Sequence, residues 1–298
     1  MESLTDILRW DFLLRNSLYT SILIGFACPL VGVFLVLRRL VFMGVALPQI
    51  SSTGVAVALS IPMWLSTEHE HIESHEHLLA FIGSGIFSLA AILILAFLER
   101  RQRGLSEGRL GTGYVVAYAL SILILSQNPH GEIGWLDLMK GQMIAIRDAD
   151  LIMTAVTLGV VLLILGLFYK EILFISYDRA MAITLRKNVV LWDVVLYLLI
   201  GMTVSMAVLS VGPLISFGFI LIPALAAHLV ARTLRQLMVI ASVMGGVCAF
   251  LGFWFSYSKN WPAGPTDVLV LGLMYALVWT TQRIVHLFKK PAHAVQPG

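Results

Sequence analysis

The chain has 298 residues, 59% of them hydrophobic and 12% charged, with a mean hydropathy of +0.90. Soluble domains carry about a quarter charged residues and keep much of their surface in water, so this composition excludes a soluble globular protein, and it excludes a disordered chain as well. The net charge of +3 is scattered in short basic clusters between apolar runs, which excludes a nucleic-acid-binding face.

The remaining class is all-α and polytopic, in a bilayer that asks for about 20 apolar residues per crossing. The N-terminal 1–16 carries acidic residues and lacks the basic start of a cleavable signal peptide. It reads as a short amphipathic segment outside the membrane. Nine apolar stretches follow, at 17–37, 41–64, 78–98, 110–127, 151–168, 190–210, 212–230, 237–257 and 267–286. The pair 190–210 and 212–230 would make about 40 residues as one helix, twice the bilayer, so Gly212-Pro213 is read as a tight hairpin. Residues 128–150 have the pattern of a helix lying on the surface. Cys28 and Cys248 fall inside apolar runs and read as small packing residues, not as a disulfide or a metal pair.

Orientation follows from Lys and Arg. With nine crossings and a cytoplasmic C-terminus, the outer segments hold only Arg9, Arg15, Lys140, Arg147 and Lys259. The other fifteen of the twenty basic residues are inside. The N-terminus is therefore placed outside. No GxxxxGK[ST], HExxH or GxSxG pattern occurs, so catalysis or an energy source belongs on another chain, and 1–298 reads as a single membrane domain that is not an enzyme.

Three features interrupt the apolar background. In the second stretch, Pro48 removes a backbone donor, while Gln49, Ser51, Ser52 and Thr53 supply neutral polar groups beside Val45. Such residues line a polar path or act as glue between helices, and spacing alone supports both. Between the second and third stretches, 65–77 packs four His and four Glu into ten residues. His69, His71, His75 and His77 with carboxylates make a set that zinc and its neighbours accept; the same residues also make an ordinary solvated acidic loop. The inner loop 169–189 mixes charges with apolar residues at helical spacing, Ile175, Ala180 and Ile183 against Asp178, Arg179 and Arg186. A short amphipathic helix of this kind docks into a partner's groove or lies on lipid headgroups.

The run Val211-Gly-Pro-Leu-Ile-Ser-Phe-Gly-Phe-Ile-Leu-Ile-Pro-Ala-Leu-Ala-Ala227 resembles the hallmark of the zinc/manganese/iron permeases of ABC importers. Pro262-Ala-Gly-Pro-Thr266, Val36-Leu-Arg-Arg39 with Met43-Gly44, and Ser176-Tyr-Asp-Arg-Ala-Met-Ala-Ile-Thr-Leu185 fall in the same family's order, across nearly the whole chain. Gly212 to Phe219 bears a fainter likeness to vitamin B12 and siderophore permeases. The resemblance implies a B12-permease-like helical fold in a bacterial inner membrane. It implies a homodimer with the path at its interface, a cytoplasmic ATPase dimer and an extracytoplasmic binding protein. It also implies that Ser176, Tyr177, Asp178, Arg179, Ala180, Leu185 and Arg186 belong to the loop that meets the ATPase.

The chain departs from the resemblance at one place. Where such permeases typically carry an Asp and, four residues on, a His, this sequence has Val45 and Gln49. A divalent ion meeting no charged ligand in apolar surroundings faces a severe desolvation cost. The expected cargo is a divalent transition metal, zinc ahead of manganese and iron, with no other cofactor. Uptake of a metal chelate or small organic cofactor is the alternative. A passive channel or secondary carrier is disfavoured because the spans read as lacking buried Asp, Glu or Lys.

Overall fold

The computed structural model describes residues 14–64, 76–101, 106–126 and 146–289, and every regular element among them is a helix. In chain order these are α1 Arg15–Leu37, α2 Val41–Trp64, α3 Glu76–Arg101, α4 Ser106–Ser126, α5 Asp148–Leu167, α6 Tyr169–Tyr177, α7 Arg179–Thr184, α8 Val189–Val211, α9 Pro213–Val230, α10 Leu234–Lys259 and α11 Ala263–Lys289. The nine apolar stretches coincide with α1–α5 and α8–α11. Seven of these are long and apolar enough to cross a membrane, while α3 and α4 contribute the shorter apolar runs Leu79–Ile94 and Gly108–Ile124. The N-terminal 1–13 and the greater part of 128–150 lie outside the described residues.

Local chemistry explains the turns. The predicted hairpin between α8 and α9 is made by Gly212 at φ 85°, a backbone conformation only glycine adopts freely, followed by Pro213 at the first helical position. Asn260 in the left-handed region ends α10. Arg39, at φ 59°, opens the tight turn from α1 into α2, closed by Leu40 N donating to Leu35 O at 2.8 Å. Pro29 and Pro223 lie inside α1 and α9 without ending them.

The centre of the bundle is α1, which packs on α10, α9, α5 and α8; α2 collects α3 and α4, and α8 and α9 join the two groups. Apolar attraction between helices is weak in lipid, so close approach depends on small residues. At the α2–α3 crossing a Cβ on Gly54 would stand 2.5 Å from the Gly83 carbonyl oxygen, so only a glycine allows this contact. Ile24, Phe34, Leu196, Ile200 and Phe219 fill the common core. Large apolar side chains on α5 (Ile152, Val156, Leu163) and α11 (Leu269, Leu273, Leu277) point outward, as bilayer contact requires.

Arg38, Arg186, Arg232 and Arg283 fall at one end of the bundle, called the basic end below. At the opposite end Asn16 Nδ2 donates to Asp148 Oδ1 at 2.7 Å and to Ile146 O at 3.2 Å, tying the start of α1 to the start of α5.

Candidate translocation path and docking surface

Helix α2 continues unbroken through Pro48. Val45 is half-buried; Gln49, Ser51, Ser52 and Thr53 are buried. The two readings of this stretch divide by residue. Thr53 Oγ1 donates to the Ala117 carbonyl at 2.9 Å and lies 2.8 Å from Ser121 Oγ, so it holds α4 against α2. Gln49 Nε2, Ser51 Oγ and Ser52 Oγ are buried with no hydrogen-bond partner among the described residues. These three groups are therefore not committed to holding helices together and leave donors and acceptors on α2 free to meet water or a solute. Val45, Gln49 and Ser52, four and three residues apart, share one helical face.

His69, His71 and His75 lie outside the described residues. His77 falls in the first turn of α3. Among the described residues no three His, Cys, Asp or Glu side chains come together as a metal-holding group.

The inner loop departs from the single amphipathic helix expected of it. Asp178 breaks it in two by capping α7, its Oδ1 accepting from Met181 N at 2.9 Å. The break resets the helical phase. Ile175 and Ala182 are buried against the bundle, while Ala180 and Ile183 are exposed. The consequence is an apolar patch at the basic end: Tyr177, 73% exposed, with Met181, Ile183 and Leu185. Ser176 is half-buried, and Arg179 and Arg186 are exposed beside the patch.

Two buried carboxylates overturn the expectation of charge-free spans. Asp193, one turn into α8, is 8% exposed and bound by two guanidinium groups: Arg38 Nη1 at 2.7 Å and Arg179 Nη2 at 3.0 Å. Asp267, one turn into α11, is fully buried, and among the described residues no cation stands against it. Ser21 of α1 faces it, and Gly252 of α10 leaves the space it occupies. Each acid stands at the start of an apolar run, where averaging over a window of residues conceals a single charge.

Residues 10–282 match the ABC 3 transport family. The chain belongs to that family. Among similar proteins, the manganese transport system membrane protein MntC of Listeria monocytogenes is 28% identical over 279 residues, covering 94% of each chain. The manganese import system permease protein ScaB of Streptococcus gordonii is 26% identical and covers 88% of each. A probable iron transport system membrane protein of Haemophilus influenzae is 24% identical over 279 residues. Among solved structures, PsaBC from Streptococcus pneumoniae in complex with Fab superposes with a TM-score of 0.80 at 24% identity, over 97% of this chain and 99% of that one. An inward-facing putative metal-chelate type ABC transporter gives 0.69 at 14% identity.

The polytopic all-α ABC 3 fold expected from the sequence motifs is thereby borne out. It is family membership, and not an absence of buried charge, that sets the secondary carrier aside.

Proposed function

We propose that this ABC 3 chain is the permease subunit of an ATP-driven importer for a divalent first-row transition metal, with manganese ahead of iron and zinc. The observation that carries the reading is the family match over nearly the whole chain, together with the manganese named for relatives aligned along 88% to 94% of their length. The donors on α2 favour the same order. Gln49 offers an amide and Ser51 and Ser52 offer hydroxyls, and neutral oxygen ligands suit manganese better than zinc, which prefers nitrogen and sulfur. Without a carboxylate at Val45, the ion keeps part of its water shell while it passes.

In this reading two copies of the chain form the path, a binding protein delivers the metal outside, and a separate ATPase docks on the cytoplasmic basic end. The exposed Tyr177, Met181, Ile183 and Leu185 support that docking, because an apolar patch ringed by Arg179 and Arg186 is the surface expected of a protein contact. The residues proposed for the contact are Ser176 to Ala180 with Leu185 and Arg186. The outer His loop would capture metal ahead of the path.

Elemental analysis of source cells with and without the chain tests the cargo. Cellular manganese is expected to fall severalfold on loss and to return with the chain. A fall in zinc or iron alone reassigns the metal. A fall that is restored by supplying a metal chelate but not the free ion supports the second reading, uptake of a metal chelate, which the uncharged Val45–Gln49 face favours.

A further inference from the structure

Of the two short helices at the basic end, α6 is anchored in the main core by Ile172, whereas α7 has little apolar hold on the bundle. In α7 only Ala182 is buried, in a small cluster with Ile175 and Val189. Charge provides the rest. Arg179 Nη2 of α7 reaches Asp193 Oδ2 of α8 at 3.0 Å. The other oxygen of that carboxylate takes Arg38 Nη1 at 2.7 Å. Arg38 also donates from Nε to Ser176 Oγ at 3.0 Å and lies over the Tyr197 ring, 5.7 Å from its centre. The Asp193 carboxylate thus joins α7 and α8 to the end of α1, and Arg38 carries the link on to α6 through Ser176.

The two halves of this junction are in different settings. The Arg38 side chain is 10% exposed and that of Arg179 is 59% exposed. Opening a buried pair leaves an uncompensated charge, so the Arg38–Asp193 half stays closed. The exposed half is screened by water and exchanges readily. One half behaves as a fixed post and the other as a detachable latch. Arg38 also caps α1 immediately before the turn at Arg39, and that turn leads straight into α2 with its unpaired Gln49, Ser51 and Ser52.

We infer that Arg38 and Asp193 are positioning residues that carry movement of the exposed α6–α7 surface into the α1–α2 turn, with Arg179 as the latch. The inference rests on the ATP-driven reading above. It adds to that reading the route by which a docked ATPase reaches the path.

The test uses the full importer, permease with its ATPase and binding protein, in proteoliposomes, reading manganese moved per ATP hydrolysed. Asp193→Asn is expected to retain the ATPase on purification yet lower that ratio at least fivefold, and Asp193→Glu to restore most of it. Arg179→Ala, read in complexes purified with their ATPase bound so that docking is held constant, is expected to lower the ratio too, and to add nothing when combined with Asp193→Asn. An unchanged ratio in Asp193→Asn, or losses that multiply in the double variant, overturns the relay. If Asp193→Asn does not assemble, Arg38→Lys serves, since it keeps the charge but loses the bond to Ser176; a wild-type ratio there also overturns it. Failure of the cargo assignment looks different, because the unaltered complex then hydrolyses ATP without moving manganese. In that event hydrolysis stimulated by the binding protein reads the relay directly, and an undiminished rate in Asp193→Asn overturns it.

Discussion

Gly252 and Asp267 show how far a single side chain depends on its neighbour in this bundle. A Cβ on Gly252 would run into the Asp267 carboxylate and stand 2.8 Å from the Asp267 Cα, so backbone as well as side chain must shift. Overpacking of this kind costs about 1–3 kcal/mol. Gly252→Ala is therefore expected to lower the thermal unfolding midpoint of the detergent-purified chain by several degrees. Gly159→Ala is the control, since nothing lies within 4 Å of its added Cβ and alanine is the better helix former. Equal midpoints for the two variants would show that α10 and α11 are not in the contact described. The acid itself was present in the sequence as the first residue of the last apolar stretch. What spacing could not reveal was that α1 and α10 close over it.

Among the elements, α2 separates what is packing from what is path. Thr53→Val removes a hydroxyl bonded to α4 and is expected to cost about 1 kcal/mol of stability, with metal uptake retained per folded molecule. Ser52→Ala removes a hydroxyl that has no hydrogen-bond partner among the described residues. Its stability is expected to be equal or higher, while uptake falls severalfold. Measuring the unfolding midpoint and radioactive-manganese uptake for both variants checks the assignment; the reverse pattern would make Ser52 the packing residue. The polar character of this helix was legible in the sequence, because Gln and Ser are conspicuous in an apolar run. The division of labour was not, because Thr53 finds its partners 64 and 68 residues away. The α6–α7 segment differs from a single helix for a local reason, since Asp178 caps a second helix and shifts the apolar period so that Ala182 is buried while Ala180 and Ile183 stay exposed.

For the molecule as a whole, the spans were readable because bilayer thickness sets helix length, and all nine stretches emerged as helices. The Arg38–Asp193 pair was not readable, since its members are 155 residues apart and nothing local to either names the other. Sidedness rests on the distribution of Lys and Arg, and the proposals depend on it. Cys28 and Cys248 are buried, so the chain offers little background to a membrane-impermeant maleimide. Arg186→Cys, at the basic end beside α7, is expected to label only after cells are permeabilised. Asn260→Cys, in the exposed turn between α10 and α11, is expected to label on intact cells. ATP is available on the cytoplasmic side alone, so the patch at Tyr177 to Leu185 can meet an ATPase only if Arg186 lies on that side. Labelling of Arg186→Cys from outside would place the patch and the Asp193 latch in a compartment without ATP, and the docking surface and the relay would fall together.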